Sequence, residues 1–112
     1  MKHEMRLNGG PFTDIKNGTK TIELRLNDEK RQLLKEKDLI EFTNRETSEQ
    51  MLVEIVKLHH YPSFEELYKH FDKVSMGYKD DEIADPKDME KYYSKEEQQK
   101  YGVVGIEIKK IK

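Results

Sequence analysis

The chain has 112 residues, with 21 Lys+Arg against 23 Asp+Glu and a net charge of −2. That length fits a single domain, residues 1–112, around one modest core, and leaves no room for a cofactor domain beside a substrate domain. The charge balance excludes a bulk cationic field that would draw long nucleic acids from solution. The absence of cysteine excludes disulfide frameworks, thiolate zinc sites and cysteine nucleophiles.

Charged residues make up 39% of the chain and apolar residues 34%, close to the composition of a disordered segment. The apolar residues are nevertheless clustered at regular spacing, which permits burial. No stretch has the length of a signal-peptide core or the ~20 apolar residues of a membrane helix, so the expectation is a soluble, cytoplasmic protein.

Gly9-Gly10-Pro11 is a break. A short helix over Phe12–Lys16 follows, with Phe12 and Ile15 inward, stopped by Asn17-Gly18. Thr19–Leu26 reads as a strand, because Ile22, Leu24 and Leu26 alternate with Thr21, Glu23 and Arg25. Asn27-Asp28 caps an expected short helix through Leu34 that buries Leu33 and Leu34. Asp38–Thr43 is a second strand, and the polar turn 44–50 returns it as a hairpin into Met51–Leu58. This third strand is apolar on both faces, which places it centrally.

Ser63 and Glu66 have capping-box spacing, and Phe64, Leu67, Tyr68 and Phe71 follow at i, i+3, i+4 and i+7, one face of a helix. The acidic connector 79–100 is expected to hold helices near Asp88–Tyr93 and Ser94–Lys100. Val103–Ile111 is the last strand, with Val104, Ile106 and Ile108 on one face. About four strands with short helices between them do not alternate as crossover units require. The fold class is therefore α+β: a small mixed β-barrel decorated by short helices.

Charge is uneven along the chain. Residues 1–35 carry a net +3 and residues 101–112 a net +2, whereas 36–78 and 79–100 carry −4 and −3. If the last strand lies beside the early one, their bases form one local positive surface. Within the early strand, Glu23 and Arg25 are two residues apart and project from one face at about 6–7 Å spacing. Thr21 precedes them on that face and Lys20 stands at the strand's mouth. Together they offer an ammonium, a hydroxyl, a carboxylate and a planar guanidinium, the groups that grip a base edge and a phosphate. An exposed strand face laced by a Glu–Arg pair accounts for the same residues without a ligand.

The run Gly18-Thr19-Lys20-Thr21-Ile22-Glu23-Leu24-Arg25, followed by a Leu-rich turn and Asp38-Leu39-Ile40-Glu41-Phe42, resembles the activating signal cointegrator homology (ASCH) domain. The likeness runs from about His3 to Ile111 and includes the closing Tyr101-Gly102-Val103-Val104-Gly105-Ile106-Glu107-Ile108. It implies a PUA-like pseudo-barrel with a cleft between barrel and helices, suited to RNA or a nucleoside and lined by Lys20, Glu23 and Arg25, with Thr21 beside them. Lys37 stands where the family usually has glycine. Some small relatives hydrolyse the amide of acetylated cytidine with a lysine, a threonine and a glutamate, and their threonine aligns with Glu23 of this chain. Others have been regarded as ribonucleases.

Three functions are thus in view. The first is an RNA- or nucleotide-binding domain. The second is a hydrolase of small nucleosides, amidohydrolase or ribonuclease-like, with Lys20 and Glu23 as its catalytic pair. The third is a protein-interaction module built on the acidic 79–100 region. His59 and His60 end the central strand and are further candidates for ligand contact. Adjacent histidines on a strand face opposite ways, so they point to no metal site, and no motif implies a cofactor. Tyr92, Tyr93 and Tyr101 are candidates for base stacking or for completing the core.

Overall fold

The computed structural model describes residues 1–111. It contains a five-stranded sheet in the order β1-β3-β4-β5-β2. The strands are β1 (Lys2–Leu7), β2 (Ile22–Leu26), β3 (Leu39–Asn44), β4 (Gln50–Tyr61) and β5 (Val103–Lys110). β1 runs parallel to β3, and every other pair is antiparallel. Helices are few and short: α1 (Gly9–Asn17), α2 (Phe64–Leu67) and α3 (Lys95–Tyr101), with 3-10 turns at Arg31–Leu33 and Pro86–Lys91.

The sheet curls into a half-barrel, so its two edge strands, β1 and β2, approach across the open side. A side-chain donor on β2 reaches a backbone acceptor on β1 there: Arg25 Nη2 lies 3.1 Å from the Arg6 carbonyl oxygen. The expected mixed barrel with short helices is the architecture present.

The inner face carries the larger core. Met5 pairs with Phe42 and Phe42 with Met51, an apolar row across three strands, and Ile40 pairs with Val53. Phe12 and Ile15 of α1 close this core from one end. A second core lies on the outer face, where Ile22, Leu24 and Leu26 pack with Phe64, Leu67 and Val103. β2 is therefore covered on both sides.

Several expectations are corrected. β1 was not anticipated. Its inward residues alternate with Lys2, Glu4 and Arg6, but only Met5 and Leu7 are buried, too weak an apolar signal to read as a strand. β2 begins at Ile22 rather than Thr19, because the amides of Thr19 and Lys20 donate to the Asp14 carbonyl that ends α1. The helix expected through Leu34 shrinks to the turn Arg31–Leu33. Asp28 accepts from the Arg31 amide as a cap, yet Leu33 stays 65% exposed and only Leu34 turns inward.

The central placement of β4 holds. A register shift between Ile55 and Lys57 turns Val56 out to solvent, which the apolar run did not disclose. α2 stops at Leu67 although its apolar face continues: Tyr68 and Phe71 still pack on the outer core. Among the described residues, no helix is long and apolar enough to cross a membrane.

Candidate functional site

Three elements bring Lys20, Glu23 and Arg25 together. The turn after α1 sets Lys20: Gly18 takes a left-handed φ of 85°, and the amides of Gly18, Thr19 and Lys20 converge on the Asp14 carbonyl. The pleat of β2 then places Glu23 and Arg25 on the inner face, directly opposite Ile106 and Val104 of β5. The third element is the segment after α2, where the Ser75 carbonyl accepts from the amides of Thr21 and Ile22 and pins the strand's mouth. Gly77, at φ 109°, lies against the Lys20 stem. A Cβ there would sit 3.1 Å from Lys20 Cδ, so a larger residue would push on the ammonium.

The result is a charged triplet. Lys20 Nζ is 3.0 Å from Glu23 Oε1, and Arg25 Nε is 2.8 Å from Glu23 Oε2. The side chains of Lys20 and Glu23 are 8% and 5% exposed and that of Arg25 is 13%, so the pairs are nearly dry rather than solvated at the surface. Burial pushes the Glu23 carboxyl up. The Lys20 ammonium and the Arg25 guanidinium, by charge and by hydrogen bond, outweigh it and hold the group below its ordinary 4.5. Burial likewise opposes the Arg25 charge, but Glu23 above all, helped by Tyr93 and Asp28, keeps that guanidinium more basic than usual.

The triplet forms the floor of a cleft of about 700 Å³. One wall is the start of α1, with Asn8, Pro11 and Asp14. The other is the connector, with Gly77, Tyr78, Met89 and Tyr92. Six bases and four acids line the cleft, a local excess of positive charge in a chain whose net charge is −2. The connector wall is held by its own hydrogen bonds: Tyr78 Oη lies 2.9 Å from Tyr68 Oη and 2.8 Å from Asp88 Oδ2. Burial, then the bonds to Tyr68 and Asp88, push the Tyr78 phenol far above its ordinary range, so it meets a ligand as a neutral hydroxyl.

Of the other sequence candidates, only Tyr92 and Tyr93 reach the cleft. Thr21 is not among the lining residues; its backbone is taken up by Ser75 and Ile108. His59 points to the outer face, 2.8 Å from Glu107 and edge-on to Phe71. His60 is exposed and does not line the cleft. Tyr93 lines the cleft while stacking on Phe64, Tyr92 is 64% exposed at the cleft rim, and Tyr101 packs on the outer core.

The sequence reading missed the connector wall and Asp14. The tyrosines were the only signal for the wall, and nothing local distinguishes Tyr78 from a core tyrosine. Lys37 keeps the backbone that its family position implies: its φ is 75°, the left-handed region where glycine is at ease.

Comparison with known proteins agrees with the fold. A family model described as ASCH domain matches residues 5–112. The crystal structure of hypothetical protein PH0355 is 33% identical and superposes with a TM-score of 0.84, over 99% of this chain and 100% of that one. The solution structure of protein PF0455 from Pyrococcus furiosus is 30% identical with a TM-score of 0.73, over 100% of this chain and 99% of that one. No curated protein matches the chain.

Proposed function

Because the chain belongs to the ASCH domain family, in which RNA binding is general, we propose that its cleft holds one nucleotide unit of an RNA or a nucleotide-like ligand. The observation that carries this reading is the buried triplet on the cleft floor. Glu23 accepts from both cations and is thereby neutralised in place, so neither cation needs to reorganise when a ligand arrives.

Lys20 has three N–H donors and gives one to Glu23; Arg25 has five and gives one to Glu23 and one to the Arg6 carbonyl. The donors left over suit phosphate oxygens or the acceptor edge of a base. The Tyr78 hydroxyl and the exposed Tyr92 ring supply a polar contact and a stacking surface on the opposite wall. A cleft of about 700 Å³ falls within the usual size of small-ligand pockets, roughly 300–1,000 Å³.

The same geometry favours binding over hydrolysis. A general base works best near the operating pH, and Glu23 is held below 4.5 with both oxygens engaged. The ammonium of Lys20 is committed to that carboxylate. The test is titration of single-stranded RNA and of free nucleotides at low salt against wild type, Lys20→Met and Arg25→Gln. Each variant is expected to weaken binding at least about tenfold, the cost of one charge-assisted bond in a partly dry site. An absence of RNA and nucleotide binding at low salt by the wild type would falsify the reading. Turnover of acylated nucleosides that is lost in Lys20→Met would replace it with the hydrolase.

A further inference from the structure

A second hollow, of about 1020 Å³, adjoins the cleft across the barrel seam. The two share Arg6, Arg25 and Arg45 as a common wall. Beyond that wall the second hollow adds Lys30 and Arg31 from the turn after β2, so five bases line it and Glu4 is its one acid. Thr43, Ser48 and Gln50 supply uncharged polar groups on its far side.

Apart from Arg25, which pairs with Glu23, the bases are not held in close structural pairs. Among the described residues, Arg6, Lys30 and Arg45 make no ion pair, and Arg31 meets Asp28 only at 3.4 Å. Arg6, Lys30 and Arg45 are all exposed. A chain with more acids than bases has thus concentrated unpaired guanidinium and ammonium groups along one path, and that path leads from the charged floor of the cleft.

We infer that this groove is a phosphate track: it takes the sugar–phosphate backbone flanking a nucleotide held in the cleft, so the ligand is a single-stranded nucleic acid several nucleotides long and not a free nucleoside. The inference rests on the nucleotide-binding reading of the cleft. Two features favour a nucleic acid over an acidic peptide. The groove is continuous with the cleft through Arg25, whose guanidinium faces both. The cleft that the groove adjoins supplies an exposed tyrosine ring, as single-strand binders pair stacking with a basic groove. The exposed arginines and lysine carry charge to the backbone and read no base, so the track is indifferent to sequence.

The test compares cytidine monophosphate with a single-stranded RNA of about eight nucleotides, a site size within the range of single-strand binders, on wild type, Lys30→Gln/Arg31→Gln and Lys20→Met. Lys30 and Arg31 line the groove and not the cleft, and both lie outside the triplet and the two cores. The double variant is expected to weaken the oligonucleotide about tenfold, to lower the slope of log affinity against log salt by about 1.4, two single-strand phosphate contacts' worth, and to bind the mononucleotide as wild type does. An oligonucleotide affinity and slope unchanged in the double variant overturn the track and leave the cleft reading standing. Loss in the double variant with none in Lys20→Met leaves the groove and removes the cleft reading. No binding by wild type removes both. Displacement of the RNA by a poly-glutamate peptide of equal charge, with equal affinity, overturns the nucleic-acid assignment in favour of an acidic-peptide surface.

Discussion

The two faces of β2 are both shut off from water, and by opposite chemistry. Outward, Ile22, Leu24 and Leu26 lie against Phe64, Leu67 and Val103. Inward, Glu23 and Arg25 meet Lys20 in a cluster of charges. The outer face is non-directional and stabilises in proportion to apolar area, at about 25 cal/mol per Å². The inner face is directional, and each group depends on its partners. In such a cluster the cost of stripping water from the charges offsets most of their attraction, so its net contribution to stability is small. What it supplies is geometry. One face holds the strand in the molecule; the other holds donors in fixed positions beside a cleft.

The change that breaks this comparison hardest is Glu23→Ala. It leaves an ammonium and a guanidinium buried without their shared partner, and the expected loss is about 3–5 kcal/mol by urea denaturation. A loss under about 1 kcal/mol would mean that water reaches the triplet and that the two faces do not differ in kind. Next in size is Leu26→Ala on the outer face, a buried position that lines neither hollow. Deleting a buried leucine costs about 2–5 kcal/mol through lost transfer and the cavity left behind. Here the folded fraction is expected to bind RNA as wild type does, because the inward geometry is untouched. A binding defect in folded Leu26→Ala protein would show that the faces are coupled.

The alternation that separates these faces was legible, because Ile22-Glu23-Leu24-Arg25-Leu26 has the strand period. That both faces are buried was not. Burial of the inner side comes from α1 and from the connector after α2, which share no local pattern with β2. The strands with strong apolar runs, β3, β4 and β5, could be read within three residues, and so could the Ser63 cap, which accepts from the amide three residues on. β1 could not, since its place depends on pairing with a strand some 37 residues away (Lys2 opposite Leu39). Residue type at a fixed spacing singled out Lys20, Glu23 and Arg25, which the structure brings together in one cleft. It did not show that His59 meets Glu107, which lies on a strand distant in sequence.

A gentler way to probe the inner face is pH. Glu23 is held below its ordinary 4.5 in the folded chain, so the unfolded chain binds the proton first as pH falls. Its contribution is therefore fully present above about pH 5 and is lost as pH drops through the folded-state value. The stability gap between wild type and Glu23→Gln is expected to stay constant from pH 7 to about 5 and to narrow below 4.5, read from denaturation midpoints across that range. A gap that widened on acidification would give the carboxyl a raised pKa and reverse the assignment of the dominant partner.

The smallest effect isolates the backbone from both kinds of burial. Lys37 is exposed, makes no ion pair among the described residues and lines neither hollow, yet its φ is 75°. Its amide donates to the Ile55 carbonyl at 2.8 Å, extending the β3–β4 ladder, so the turn cannot relax without losing that bond. A non-glycine residue in the left-handed region costs about 1–2 kcal/mol, and glycine returns roughly 0.4–1 kcal/mol of that through the greater freedom of the unfolded chain. Lys37→Gly is thus expected to stabilise by about 0.5–1 kcal/mol in urea, with RNA affinity unchanged. Destabilisation instead would mean that the lysine stem packs on the turn and offsets the strain, and the position would then belong with the packed outer face rather than with the backbone alone.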